Sequence, residues 1–137
     1  MIMGAAVISC STFKGDPGNP MDGLREQVAA SVLDEERAQS ILSSVDRIDE
    51  LLAESTNILV QAQNNERVLF LNYDSTREEY QALMASERGE RREVQEQILA
   101  LHLSIKSQAT AEEWGELRPV MVDVVASRIE AMTSEYN

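Results

Sequence analysis

The chain has 137 residues, of which 43% are hydrophobic, so it is long enough for one folded domain with a core and too short to predict two. Aromatic residues make up only 4%, which favours packed helices over a β-sandwich. The formal net charge is −12. This charge argues against a nucleic acid or an anionic lipid surface as the main partner, because both select clustered Lys and Arg.

The N-terminal segment contains the only cysteine, Cys10, after the apolar residues 1–9. A single cysteine cannot form an internal disulfide, and a catalytic cysteine would need an activating base from a chain with one histidine. The residues Val7-Ile8-Ser9-Cys10 resemble the bacterial lipobox. The resemblance implies that Cys10 is lipidated, that residues 1–9 are the end of a signal segment, and that Ser11 directs the protein to the outer membrane. A free thiol without a role is the alternative.

A flexible tether is predicted to follow Cys10, so that residues 10–23 comprise the lipidated cysteine and the tether. Residues 11–23 contain three glycines and two prolines and few apolar side chains. Residues 24–137 are predicted to form a single helical domain, which opens with a short amphipathic helix at Leu24.

The second predicted helix is long, with Asp34 as its N-cap and its end near Phe70. Apolar residues at alternating steps of four and three place one face of this helix in a core. These residues are Ile41, Val45, Ile48, Leu52, Leu59 and Ala62, with the polar Ser55 in the same series.

A third helix is predicted after the turn residues Asn72 and Asp74, with Ser75 and Glu78 in capping-box spacing. It is expected to continue through Gly89, with an exposed or locally bent middle. Its face comprises Tyr80, Met84, Glu87, Arg91, Val94, Ile98, Leu101 and Ile105.

The last helical region begins with Thr110 and Glu113, again in capping-box spacing. Pro119 is expected either to kink this helix or to open a new one. Its apolar face comprises Val120, Met121, Val124, Val125, Ile129 and Met132. The predicted fold is all-α: two long antiparallel helices form a hairpin, flanked by shorter helices, in a hairpin dimer or a four-helix-like bundle.

The pattern of reactive residues predicts no enzyme, no catalytic residue, no cofactor and no metal site. His102 has no carboxylate or sulfur neighbour at helical spacing, and Met84, Met121 and Met132 are read as core-filling residues. Most carboxylates lie at helix starts or on polar faces. Glu66 is the exception, because it continues the apolar series of the second helix. It is predicted to form an interhelical ion pair with one of the third-helix arginines, Arg88, Arg91 and Arg92.

Two helix starts share a local pattern. The stretch VLDEERAQSIL contains Leu33, Asp34 and Glu36, and the stretch QATAEEWGEL contains Thr110, Glu113 and Trp114. The pair resembles the "LTxEQ" signatures of the periplasmic helical-hairpin family that includes the chaperones Spy and CpxP and the sensors of heavy-metal resistance systems. The resemblance covers about residues 32–118. Arg37 and Glu113 stand where that family has glutamine, and Asp34 and Ala109 replace its Thr and Leu.

Together with the lipobox, this resemblance implies a lipid-anchored protein of the bacterial periplasm, held to the outer membrane. The predicted function is a non-enzymatic, chaperone-like or sensor-like binder in envelope stress or metal tolerance. Its partner would be a protein or an unfolded client, and a homodimer through the long helices is a further prediction. The alternative is a structural or assembly lipoprotein that docks a larger envelope complex through a helix face.

Overall fold

The computed structural model describes residues 18–134, with side chains as far as residue 127. This part of the chain forms four helices and contains no strand, which confirms the predicted all-α class. The helices are α1 (Pro20–Ser31), α2 (Glu35–Leu71), α3 (Arg77–Gln108) and α4 (Ala111–Ser134). Cys10, the predicted signal segment and most of the predicted tether lie outside the described residues.

Two helix starts follow the sequence prediction. The Asp34 carboxylate accepts a hydrogen bond from the Arg37 backbone N–H at 2.8 Å and caps α2. At α4 the Thr110 hydroxyl accepts from the Glu113 N–H at 3.2 Å, and the Glu113 carboxylate accepts from the Thr110 N–H at 2.8 Å. These bonds satisfy backbone donors that have no partner within the first helical turn. The predicted N-cap and the second capping box are confirmed.

The helical region begins earlier than predicted. Helix α1 starts at Pro20 rather than Leu24, because the Asn19 side chain accepts a hydrogen bond from the Met21 N–H. Proline suits the first helical position because it has no N–H that would require an acceptor there. Met21 is buried, so residues 20–23, assigned above to the tether, belong to the folded helices.

The capping box of α3 lies one residue later than predicted. Thr76 and Glu79 cap each other reciprocally, at 2.7 Å and 3.3 Å, in place of Ser75 and Glu78. The Ser75 hydroxyl instead donates to the Leu69 carbonyl at 2.7 Å and so closes the end of α2. Adjacent Ser and Thr residues both fit the sequence pattern, and the geometry of the turn selects between them.

Neither Gly89 nor Pro119 ends a helix. Helix α3 continues through Gly89, as predicted, and α4 continues through Pro119. The alternative that Pro119 opens a new helix is therefore wrong. Its missing N–H leaves the Gly115 carbonyl without its helical donor, and a proline inside a helix costs about 3 kcal/mol.

The hydrophobic core lies at one end of the molecule. Helix α1 packs against both α2 and α4, and α2 packs along α3. The core combines α1, the first half of α2, the end of α3 and the first part of α4. Its buried members are Met21, Leu24, Val28, Val32, Ile41, Val45, Ile48, Ile105, Leu117, Met121 and Val124.

Beyond this core, α2 and α3 extend without cover from α1 or α4. Among the described residues, α2 has no buried side chain after Leu51 and α3 has none before Val94. The twenty residues of α2 from Leu52 to its end span about 30 Å at 1.5 Å per residue. We call this region, residues 52–93, the outer segment.

Candidate functional site

The two helix-start signatures meet in space. The Arg37 guanidinium binds both carboxylate oxygens of Glu113, 76 residues away, at 2.7 Å and 3.0 Å. It also donates to the backbone carbonyl of Gln108 at 3.0 Å. The beginning of α2 is therefore fastened to the connection between α3 and α4. Arg37 and Glu113, the two residues that stand where the signatures have glutamine, are the two that pair with each other.

The pairing changes the titration of Glu113. The hydrogen bond from Arg37, and next the one from the Thr110 N–H, lower the pKa of Glu113 from its ordinary value near 4.5 to about 2. Both bonds favour the charged carboxylate. The same carboxylate raises the pKa of Arg37.

This shift predicts a pH dependence of stability. A carboxylate with a lowered pKa in the folded state contributes stability above its unfolded pKa, and that contribution disappears as the pH falls from about 4.5 to about 2. We expect the urea midpoint of the wild type to fall across this range, and Glu113→Gln to flatten the fall. Glu112→Gln, one residue earlier in the same helical turn, is the matched control and should keep the wild-type profile. Equal profiles for both variants would contradict a specific Arg37–Glu113 contribution.

The other signature residues do not form a reactive cleft. Leu33 is 91% exposed in the connection between α1 and α2, and Glu36 is exposed. Trp114 is half-buried against the core, and its ring meets the His102 ring edge-on at a centroid distance of 5.9 Å. The signature residues thus cap the starts of α2 and α4, and the Arg37–Glu113 ion pair connects these two helices.

The structure does not join Glu66 to the third-helix arginines. Glu66 is exposed, Arg92 pairs with Glu96 of its own helix at 2.8 Å, and Arg88 donates to the Met84 carbonyl. No ion pair among the described residues involves Glu66. Its position in the four–three series does not bury it, because the outer segment has no third helix to cover that face.

Metal-ligating side chains do not converge in the described part of the chain: no three His, Cys, Asp or Glu residues are placed to hold an ion there. His102 is half-buried between α3 and α4, and burial lowers its pKa. Of the methionines named from the sequence, Met121 is buried as predicted, whereas Met84 is exposed in the outer segment. The side chain of Met132 lies outside the described residues.

An exposed apolar cluster occupies the far end of the outer segment. It comprises Val68, Phe70, Leu71 and Tyr73, and we call it the tip patch. Phe70 is 80% exposed, Leu71 72% and Tyr73 100%. Single exposed apolar residues are common, whereas several close together in the chain make this end of the outer segment a candidate binding surface.

Hydrogen bonds order the backbone beneath the tip patch. The Asp74 N–H donates to the Asn72 side chain at 3.1 Å, and the Ser75 N–H donates to the Asn72 carbonyl at 3.1 Å. The Ser75 hydroxyl ties the turn to the Leu69 carbonyl. The patch is therefore presented on an ordered turn, which reduces the entropy lost on binding.

Sequence reasoning missed the tip patch, although a signal was present. Val68-Leu69-Phe70-Leu71 is a run of four apolar residues immediately before turn residues. A helix that buries one face cannot cover four consecutive side chains, so such a run predicts exposed apolar surface. The four–three series identifies only the buried face and passes over this feature.

Comparison with protein-family models, with curated proteins and with solved structures finds no match to this chain. The resemblance to the periplasmic helical-hairpin family therefore rests on the quoted signatures. Over the described residues, no helix has the length and hydropathy to cross a membrane.

Proposed function

We propose that this protein is a non-enzymatic, lipid-anchored binder of the bacterial envelope that holds a protein client at the tip patch. The observation that carries the proposal is the exposed apolar cluster on an ordered turn, far from the buried core. In this proposal α2 and α3 act as a hairpin, whose base is fixed by α1 and α4 and whose tip contacts the client.

The apolar chemistry of the tip patch fits a chaperone-like function better than a sensor-like one. Unfolded proteins expose apolar side chains, and an exposed apolar surface binds them without a requirement for sequence. Phe70 and Tyr73 offer large contact areas at a small cost in side-chain entropy. The helix-start signatures support the same assignment by their resemblance to chaperones with a helical hairpin.

The test replaces two adjacent apolar side chains of the patch, Phe70 and Leu71. We expect Phe70→Ser with Leu71→Ser to abolish most of the wild type's ability to suppress aggregation of reduced α-lactalbumin, measured by light scattering. Because both side chains are exposed, the double variant should keep the wild-type unfolding temperature within a few degrees.

Leu33→Ser provides the matched control, because Leu33 is 91% exposed but lies alone between α1 and α2. It should suppress aggregation as well as the wild type. Equal loss in both variants would indicate a general effect of surface polarity. Full activity of the double variant would refute the tip patch as the client site.

The localisation part of the proposal depends on Cys10. We expect mass spectrometry of the membrane fraction from a bacterial host to find the mature chain beginning at an acylated Cys10, because two or more acyl chains give stable anchoring. Cys10→Ala should move the protein to the soluble fraction. An unlipidated wild-type chain that begins at Met1 would refute the anchor while leaving client binding intact.

A structural docking protein is the second candidate, and the confinement of the tip patch to one end of the outer segment favours it. A small, ordered patch suits a single partner of fixed stoichiometry better than many clients. A pull-down from envelope extracts that yields one stoichiometric partner, lost in the Phe70/Leu71 double variant, would support docking. A homodimer through the outer segment is compatible with both the chaperone-like and the docking function. Sedimentation equilibrium of the wild type and the double variant tests for this dimer.

A further inference from the structure

A second apolar feature lies at the other end of the long helices. Helices α3 and α4 make no contact as extensive as those of α1 with α2 and α4, so a cleft remains open between their described residues. We call it the α3–α4 cleft. It lies near Leu52, about 24 Å along α2 from Val68, and is therefore distinct from the tip patch.

The cleft has a deep part and a shallow part. The deep part is a cavity of about 140 Å³ between α1, α2, α3 and α4, lined by side chains that include Leu24, Ile48, Leu52 and Ile98. The shallow part is a groove of about 340 Å³ that runs along α4 past Val122 and Ala126. His102, Met121 and Val125 line both parts, so the two parts are adjacent.

The dimensions fit an alkyl chain. A cavity of roughly 150 Å³ with an apolar lining stays dry and accepts a molecule the size of benzene. Apart from His102, every residue that lines the deep part is aliphatic or methionine. Burial lowers the pKa of His102 and so favours its neutral ring.

Arg118 is the cation among the described residues that line the cleft. It lines the shallow part, is exposed, and forms no ion pair or hydrogen bond with the residues whose side chains are described. Other exposed arginines, such as Arg91, also form no ion pair with the described residues, but they do not line the cleft. An arginine with this position beside an apolar cleft is suited to an anionic group from outside.

We propose that the α3–α4 cleft binds a fatty carboxylate, with its alkyl chain in the apolar cavity and its carboxylate on the Arg118 guanidinium. An alkyl chain matches the aliphatic lining, and a guanidinium binds a carboxylate through two parallel hydrogen bonds. This ligand is independent of the client at the tip patch, and either proposal can fail without the other.

The acidic surface predicts how this binding responds to salt. The net charge of −12 repels a fatty carboxylate at long range, whereas contact with Arg118 and burial of the alkyl chain act locally. Affinity should therefore increase between 20 mM and 300 mM NaCl. A site that bound the carboxylate only through its attraction to Arg118 would lose affinity as the salt concentration rises.

The experiment uses decanoate below its micelle concentration and the full chain. Trp114, the only tryptophan, lies against His102 and reports on the cleft through its fluorescence, and the single histidine gives one imidazole signal by NMR. We expect saturable changes in both signals. Decanol should bind more weakly than decanoate, and decyltrimethylammonium should bind weakest.

Two variants with matched controls test the assignment. Arg118→Gln should weaken decanoate by about fivefold and leave decanol unchanged, whereas Arg91→Gln, at another exposed arginine, should change neither. Val125→Glu should abolish decanoate binding because it places a carboxylate in the cleft, and Val60→Glu, at a residue of similar exposure in α2, should not. Absence of saturable binding would overturn the proposal. That result is expected if another segment of the chain or a second copy occupies the cleft. Equal affinity for decanoate and decyltrimethylammonium would overturn the role of Arg118.

Discussion

Leu117→Ala is expected to destabilise the protein by about 2–5 kcal/mol, because it removes a fully buried side chain from the core without refilling the space. Leu117 packs in the cluster that joins α4 to α1 and α2. Domains of this size have a total stability of about 5–15 kcal/mol, so the variant should lose a large share of it. Urea unfolding followed by circular dichroism at 222 nm measures the difference.

Leu99→Ala is the matched control, since it makes the same chemical change at a leucine of α3 that is more than half exposed. Its free energy of unfolding should lie within about 0.5 kcal/mol of the wild type. The slope of the urea transition should stay constant in both variants, as expected when the amount of surface exposed on unfolding is unchanged. A loss for Leu117→Ala no larger than that for Leu99→Ala would contradict the packing of α4 against the other helices.

Arg25→Gln is expected to cost about 1–2 kcal/mol, which is more than a surface arginine usually contributes. The Arg25 guanidinium binds three carboxylates at 2.7–2.8 Å, those of Asp22, Asp46 and Asp49. Two of them belong to α2, so the network fixes α1 to α2. Removal of the cation leaves three carboxylates close together, and their mutual repulsion separates the two helices.

Arg47→Gln provides the comparison, because Arg47 makes one exposed ion pair with Glu50 of its own helix at 2.8 Å. It should change the unfolding free energy by less than about 0.5 kcal/mol. The deficit of Arg25→Gln should also shrink in 1 M NaCl, where repulsion between the carboxylates is screened. Equal effects of the two substitutions at low salt would contradict a network at Arg25.

The protein has two parts that differ in how many side chains they bury. The base, which contains α1, α4 and the adjoining parts of α2 and α3, holds the buried core, the Arg25 network and the Arg37–Glu113 fastener. Among the described residues, the outer segment has no buried side chain, and its tip carries exposed apolar residues. Substitutions in the base should therefore change the free energy of unfolding more than substitutions in the outer segment.

The sequence by itself determined the helical class, the starts of α2 and α4, and the core-facing residues at the base such as Ile41, Val45 and Ile48, whereas Met84 and Val125, predicted on apolar faces, are exposed. Caps such as Asp34 and Thr110 act within four residues, and the four–three rhythm of Ile41, Val45 and Ile48 depends only on the pitch of a helix. Both signals are local, so a single sequence contains them. Where two local solutions were equivalent, as for Ser75 and Thr76, the prediction was wrong by one residue.

Only the tertiary structure decided which helix covers which face. The same rhythm continues along α2 to Leu59 and Ala62, yet these residues are only half-buried, because α1 and α4 cover just one end of the long helices. The Arg37–Glu113 contact, the exposure of Glu66 and the cleft beside Arg118 all follow from that placement. Helical periodicity specifies a face but no partner, because the choice of partner depends on connections and contacts between residues far apart in the chain.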